Sequence, residues 1–105
     1  MQQAQVIQHI TELGKEILPE GASLWLYGSR ARGDARPDSD YDLLILLGKD
    51  NLAPDYCSRY SYPLYFWGTG FGEAVNAHIY TKKDWKRWQY APFRKNVEEE
   101  KIVLV

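Results

Sequence analysis

The sequence has almost no cysteine, no long apolar run and no surplus of charge of one sign, and each absence excludes a class of protein. Cys57 is the only cysteine among 105 residues, so an intrachain disulfide framework is excluded. No apolar run reaches the roughly 20 residues that a membrane-spanning helix needs. With 13 basic and 14 acidic residues, the formal net charge of −1 gives no general field for holding a nucleic-acid backbone. Any anion must therefore be bound locally.

The length and composition are typical of one small folded domain. A chain of 105 residues buries only about 65% of the surface that it would expose unfolded, which supports one modest core. The composition, 45% hydrophobic and 26% charged, is ordinary for a soluble globular protein. The first ten residues, MQQAQVIQHI, lack the basic-then-apolar pattern of a signal peptide. We therefore expect a single domain over residues 1–105, located in the cytoplasm.

The apolar residues of the first half predict a helix followed by two strands. Apolar residues recur at steps of three and four through the first 18 positions, which predicts an amphipathic helix with one buried stripe. Ser23 to Tyr27 and Tyr41 to Leu47 are short apolar runs that predict buried strands. The second run is apolar at both odd and even positions apart from Asp42. This pattern indicates a central strand covered on both faces.

The second half predicts a crossover helix, a third strand and a charged C-terminal segment. Aromatic residues at helical spacing between 51 and 71 indicate the helix. Ala74 to Tyr80 alternates as a strand does. Thr81 is suited to cap a short helix over Lys82 to Trp88, and residues 93–105 predict a helical turn and an apolar terminal strand. The expected fold is α/β (α+β), a small mixed β-sheet flanked by helices.

The pair Asp40 and Asp42 is the first candidate for chemistry. Two residues that lie two apart on one strand project from the same face, so their carboxylates repel each other. A cation between them removes that repulsion. Magnesium takes one or two carboxylates and completes its coordination with water and phosphate oxygens. Asp40 and Asp42 are therefore the predicted metal-binding and catalytic residues.

The turn before this pair has the features of a phosphate-binding segment. Gly28 has no side chain and lets a triphosphate approach the backbone, and Ser29 adds a hydroxyl and an amide donor. Arg30, Arg32 and Arg36 lie in the following loop, where a guanidinium group can hold phosphate. We choose Arg32, because Arg30 directly follows the turn and could point to solvent. Gly28, Ser29 and Arg32 are the predicted nucleotide-binding residues.

The alternative is an ordinary loop without a ligand. Gly28 and Ser29 would then form a simple turn, and the polar residues up to Asp40 would cap the start of a strand. Asp42 argues against this interpretation, because a charged residue within an apolar strand costs stability unless something pairs with it. We therefore favour a binding site.

The segment YGSRARGDARPDSDYDLLILL closely resembles the signature of the DNA polymerase beta-like nucleotidyltransferase superfamily in its minimal form. The spacing of Gly-Ser, ten residues and Asp-x-Asp matches in full, and AVNAHIYTKKDWKRW and PFRKNVEEEKIVLV look like the third strand and tail of these small proteins. The resemblance implies Mg²⁺ on Asp40 and Asp42 and transfer of a nucleotidyl group, with AMP from ATP as the expected case, to a hydroxyl acceptor. Many minimal members pair with a small all-helical HEPN protein as antitoxin and toxin, and some attach AMP to a tyrosine of that partner.

The third strand departs from the pattern of active members, which usually carry a third carboxylate there. Asn76 occupies the expected position, and a neutral amide cannot act as a base. Glu73 and Asp84 do not fit the position cleanly. His78 shares the face of Asn76 and could accept a proton at neutral pH. Two hypotheses stay open: an active nucleotidyltransferase, and a catalytically weak or inactive nucleotide-binding antitoxin module that acts by binding a HEPN-type partner.

Three further groups of residues carry weaker expectations. Trp85 and Trp88 lie three apart and predict an aromatic helix face that could contact a partner helix or a second copy of the chain. The aromatic residues between 60 and 71 are expected to pack in the core rather than stack on a base. The glutamates from Glu98 to Glu100 are expected to form a solvated helix end.

Overall fold

The fold is built on a mixed sheet of four strands, in a computed structural model that describes residues 1–88 and 91–105. The strand order is β3-β2-β1-β4. β1 pairs antiparallel with both β2 and β4, whereas β2 and β3 are parallel. The predicted α/β fold with a small mixed sheet is confirmed. The strands are β1 (Ser23–Tyr27), β2 (Tyr41–Leu47), β3 (Val75–Thr81) and β4 (Ile102–Val103).

Five α-helices accompany the sheet within the described ranges. They are α1 (Gln3–Ile17), α2 (Ser29–Arg32), α3 (Tyr62–Gly70), α4 (Lys82–Arg87) and α5 (Pro92–Glu100). A π-helical turn over Cys57–Ser61 runs directly into α3, so the predicted crossover helix between the parallel strands is present. Across these same residues, no helix is both long and apolar enough to cross a membrane.

Both faces of the sheet are covered, because β2 is apolar at odd and even positions alike. Its five residues from Leu43 to Leu47 are all buried. The odd positions of β2 pack with Leu24 and Leu26 of β1 under α1 and α3. The even positions pack with Trp25 and with residues of α4 and α5. The sequence prediction of a central strand covered on both sides is therefore correct.

Helix α4 begins at the predicted cap. The Oγ1 of Thr81 accepts a hydrogen bond of 3.0 Å from the backbone N–H of Asp84, which satisfies one of the free amides of the first turn. The helix turns Trp85 inward, where the side chain is 2% exposed and its Nε1 donates to Glu98 at 2.9 Å. The predicted aromatic face is therefore wrong for Trp85, whereas Trp88 is 42% exposed.

Candidate functional site

The predicted site residues meet at one edge of the sheet, where β1 ends and β2 and β3 begin. Gly28 follows the last residue of β1, Asp40 immediately precedes β2, and Asp42 is the second residue of β2. Across the strands, Asp42 lies opposite Tyr27 on one side and Asn76 on the other. Antiparallel β1 and parallel β3 thus place the Gly-Ser turn, the acid pair and the start of the third strand side by side.

Gly28 is held in a conformation and at a distance that other residues do not tolerate. Its φ of +76° lies in the region that favours glycine. A Cβ atom at this position would lie 2.7 Å from the Oδ2 of Asp42. The turn therefore needs a glycine both for its backbone and for the approach of the Asp42 carboxylate.

The acid pair lies in a negative local field. Burial raises the pKa of Asp42 above its ordinary 3.8, and the charges of Asp40 and Glu100 raise it further. His78 and Arg32 act in the opposite direction, yet the net shift remains upward. A bound cation would stabilise the ionised form of this carboxylate. The environment therefore fits the predicted use of the pair as metal ligands.

Asn76 occupies the place where a third carboxylate was expected, and it contacts the acid pair. Its Nδ2 donates a hydrogen bond of 2.8 Å to the Oδ2 of Asp40. His78, two residues further along β3, is exposed, and its interaction with Asp42 acts to lower the pKa of that carboxyl. The third strand thus offers the site an amide donor and an imidazole rather than an acid.

The protein by itself offers a metal two carboxylates. In the part of the chain that the structure describes, no group of three or more His, Cys, Asp or Glu side chains is arranged to hold a metal ion. Magnesium commonly binds through one or two carboxylates and takes its other ligands from water and substrate phosphates. The donor set of Asp40 and Asp42 fits magnesium bound together with a phosphate ligand.

Ser29 and Arg32 form the two ends of α2, next to the acid pair. The carbonyl of Ser29 accepts hydrogen bonds from the N–H groups of Gly33 and Asp34, which closes the turn. The side chain of Arg32 is half exposed and forms ion pairs with Asp34 at 3.3 Å and with Glu100 at 3.0 Å. The hydrogen bonds that Arg32 donates, first to Glu100 and then to Asp34, raise the pKa of Arg32. A permanently charged guanidinium therefore lies at the rim of the site.

Arg30 does not point to solvent, so that expectation from the sequence is wrong. The residue is 9% exposed. Its Nε and Nη2 donate to the carbonyl of Ser39 at 3.2 and 3.0 Å, and Nη2 also donates to the carbonyl of Pro37 at 3.2 Å. Its Nη1 donates to the Oε1 of Gln3 at 3.2 Å. Arg30 therefore braces the loop that leads into Asp40.

The prediction of a solvated glutamate run is wrong for Glu100. Its side chain is 16% exposed. Its Oε1 accepts a hydrogen bond of 2.8 Å from the N–H of Gly28, and its Oε2 accepts one of 3.0 Å from the Nη1 of Arg32. The composition of the run gave no sign of this contact. Pairing the terminal strand with β1 would have revealed it, because the register Leu26 to Ile102 places Glu100 opposite Gly28 when continued by two residues.

A cleft of about 250 Å³ opens along the outer edge of β3, and Asn76, which contacts Asp40, is part of its lining. Tyr62 and Tyr65 of α3 form part of its wall and are 51% and 46% exposed. The expectation that the aromatic residues of this region pack in the core holds for Tyr60, which is 4% exposed, but is wrong for these two. The cleft is lined by Ser61, Tyr62, Tyr65, Val75, Asn76, Ala77 and His78.

The Gly-Ser turn and the Asp-x-Asp pair, on which the resemblance in the sequence depends, thus lie side by side at one edge of the sheet. The chain matches the family model described as nucleotidyltransferase domain over residues 6–105, and it belongs to that family. The resemblance inferred from the Gly-Ser and Asp-x-Asp spacing is thereby confirmed. A comparison with curated proteins gave no match.

Two solved structures share the fold. A crystal structure of a toxin–antitoxin with AMP-PNP aligns with a TM-score of 0.65 and 18% identity, over 94% of this chain and 72% of that chain. A protein of Sulfolobus solfataricus regarded as a nucleotidyltransferase aligns with a TM-score of 0.61 and 19% identity, over 96% of this chain and 80% of that chain. At these identities the similarity establishes the common fold.

Proposed function

We propose that the chain is a magnesium-dependent nucleotidyltransferase that transfers AMP from ATP to a hydroxyl group, with a partner protein as the acceptor. The observation that carries the proposal is the position of Asp42. Its carboxylate lies against the Gly28 turn, beside Asp40, and burial and neighbouring charge raise its pKa. A cation held by Asp40 and Asp42 together with a triphosphate would relieve that unfavourable environment. Two findings support ATP as the nucleotide. The chain belongs to the nucleotidyltransferase family, and one structural neighbour is a toxin–antitoxin with AMP-PNP, an ATP analogue.

In this proposal each residue has a separate task. Gly28 admits the triphosphate to the backbone, Ser29 donates to it, and Arg32 offsets its charge. Asp40 and Asp42 hold Mg²⁺, which when bound would polarise the α-phosphate and stabilise the charge of the departing pyrophosphate. The acceptor oxygen forms a bond to the α-phosphorus as the bond to the β-phosphate oxygen breaks.

The hydroxyl proton also needs an acceptor, and Asn76 cannot take it. His78 lies on the same face of β3 and is exposed, which makes it our candidate. An imidazole two residues beyond Asn76 would take the proton of a hydroxyl that enters through the cleft along β3.

Asn76 also favours a second candidate function. A nucleotidyltransferase domain with an amide in place of the third carboxylate suits a module that binds nucleotide but transfers it slowly or not at all. Such a module would act by covering a HEPN-type helical partner. The toxin–antitoxin among the structural neighbours supports this alternative as well as a partner in general.

Calorimetric titration of ATP and of a non-hydrolysable analogue, with and without magnesium, tests the proposal. We expect binding that depends on magnesium. Transfer is then measured with labelled ATP and candidate acceptor proteins. Magnesium-dependent binding without transfer would support the module, and no binding would overturn the proposed nucleotide site.

The variant Asp42→Asn distinguishes the effect of Asp42 on metal binding from its effect on stability. Because the pKa of Asp42 is raised in the folded protein, its ionisation above pH 3.8 disfavours folding. Asp42→Asn should therefore raise the melting temperature at neutral pH without metal, and this gain should disappear below pH 3.8. The same variant should abolish magnesium-dependent binding, and unchanged affinity would contradict the proposed metal ligand.

A further inference from the structure

The last residue of α5 belongs to the edge of the sheet where the candidate site lies. Glu100 ends α5 two residues before β4, and β4 pairs antiparallel with β1. The pairing brings Glu100 to the position opposite Gly28, although 72 residues separate the two in the sequence. Its location is therefore set by the sheet and not by the flexible end of a helix.

The carboxylate of Glu100 joins two groups that belong to different parts of the site. One oxygen accepts from the backbone N–H of Gly28 at 2.8 Å, and the other accepts from the Nη1 of Arg32 at 3.0 Å. Both bonds are assisted by charge. The Glu100 side chain is 16% exposed, so water competes weakly for its bond to Gly28, whereas its bond to the half-exposed Arg32 lies at the surface. The two ends of the turn, Gly28 and Arg32, are thereby held by the same carboxylate.

Arg32 keeps binding capacity after these contacts. A guanidinium has five N–H groups, of which Arg32 uses one on Nε for Asp34 and one on Nη1 for Glu100. The side chain is 47% exposed, so the remaining groups can be reached by a ligand. Because a long arginine side chain loses rotamer freedom on binding, an anchor that holds it in place beforehand reduces that cost.

We infer that Glu100 is a positioning residue of the nucleotide site, which holds the Gly28 turn and orients the guanidinium of Arg32 toward the triphosphate. This inference rests on the proposed function. Glu100 itself does not touch the nucleotide, and the Gly28 N–H that it occupies is not used for phosphate. The contribution of Gly28 is then the close approach of the backbone, whereas Ser29 and Arg32 supply the donors.

A double-mutant cycle between Glu100 and Arg32 tests the inference. The dissociation constant for ATP with magnesium is measured for the wild type, Glu100→Ala, Arg32→Ala and the double variant. We expect Glu100→Ala to weaken binding about tenfold, which corresponds to about 1.4 kcal/mol. In the Arg32→Ala background the same change should weaken binding clearly less, because the part of its influence that passes through the arginine is already lost.

Two additional variants keep the test independent of folding. Glu100→Gln retains an acceptor for the Gly28 N–H but removes the charge facing Arg32, so its affinity should fall between those of the wild type and Glu100→Ala. Glu99→Ala removes a charge from the neighbouring exposed position of α5 and should bind like the wild type. Melting temperatures of all variants show whether each is folded.

The other possible outcomes contradict either the role of Glu100 or the proposed function. Unchanged or tighter binding by Glu100→Ala would overturn the positioning role, and tighter binding would show that the carboxylate competes with phosphate. A full additional loss in the Arg32→Ala background would show that Glu100 does not act through Arg32, which also overturns the inference. If the wild type itself fails to bind ATP with magnesium, the proposed function fails and the role of Glu100 fails with it.

Discussion

Gly28 and Asp42 approach each other so closely that a methyl group on Gly28 would lie 2.7 Å from the carboxylate oxygen Oδ2. The contact joins the end of β1 to the second residue of β2, and it depends on a backbone φ of +76° at the glycine. The turn and the acid pair therefore form one structural unit. A substitution in either should change the position of the other.

The variant Gly28→Ala should disturb both the fold and the site. Alanine at this φ costs about 1–3 kcal/mol of backbone strain, and its Cβ would push the Asp42 carboxylate away. We expect lower stability in urea denaturation and loss of magnesium-dependent ATP binding in calorimetry. Gly33→Ala is the matched control, because Gly33 has a φ of +89° with open space around it. It should lose stability without losing the binding.

The variant Asn76→Asp tests what the third strand contributes. It replaces the 2.8 Å hydrogen bond to Asp40 with a repulsion between carboxylates, which should lower stability by about 1–2 kcal/mol without metal. Magnesium or manganese should restore the melting temperature, because three carboxylates bind a cation more strongly than two. If the missing acid limits transfer, the variant should also transfer AMP faster.

Asn76→Ala is the control for this prediction. It removes the hydrogen bond without adding a charge, so added metal should not restore its stability. A variant Asn76→Asp that is as stable as the wild type without metal would contradict the assigned contact between Asn76 and Asp40.

The variant Arg30→Lys tests the brace on the loop that precedes Asp40. Lysine keeps the positive charge but cannot donate from a planar fork to the carbonyls of Pro37 and Ser39. We expect a loss of about 2–3 kcal/mol in the free energy of unfolding and weaker metal-dependent binding. Arg36→Lys, an exposed position of the same loop, should change the stability by less than about 0.5 kcal/mol. Equal effects of the two variants would contradict the brace.

Glu98 gives the protein a pH dependence. Burial acts to raise its pKa, but hydrogen bonds from Lys101 and Trp85, with the charges of Lys101 and Arg94, hold its pKa below the ordinary 4.5. The stabilisation is therefore complete above pH 4.5 and is lost as the pH falls through the lowered pKa. In Glu98→Gln the stability should be lower at neutral pH, by at most about 1 kcal/mol, and should depend less on pH below 4.5.

Thermal unfolding measured from pH 3 to pH 7 checks this expectation, with the exposed neighbour in Glu99→Gln as the control. A parallel acid dependence in the wild type and Glu98→Gln would show that other carboxylates govern the transition.

The parts of the fold that the sequence predicted correctly are those set by short-range patterns. The apolar runs Ser23–Tyr27 and Tyr41–Leu47 end at polar or glycine residues, so their bounds as strands could be predicted. The Asp-x-Asp pair could be assigned to one site with the Gly-Ser turn from its spacing, and the antiparallel pairing of β1 and β2 brings the two together. The assignment of nucleotide to Gly28, Ser29 and Arg32 stays a prediction.

The parts that the sequence did not predict depend on contacts between distant segments. Glu100 belongs to a run of glutamates whose composition is typical of an exposed helix end, and only the pairing of β4 with β1 brings it to Gly28. Arg30 is buried because the loop through Pro37 and Ser39 folds back over it. Neither arrangement leaves a periodic pattern in the local sequence.

The wide separation of Gly28 and Glu100 along the chain has a consequence during protein synthesis. Gly28 leaves the ribosome early, together with the aspartates, whereas Glu100 is translated 72 residues later and β4, which pairs with the free edge of β1, follows it. A nascent chain therefore displays the acid pair well before the turn beside it is anchored. A protease that cut within α5 would return the molecule to that incomplete state, with its aspartates present and its anchor removed.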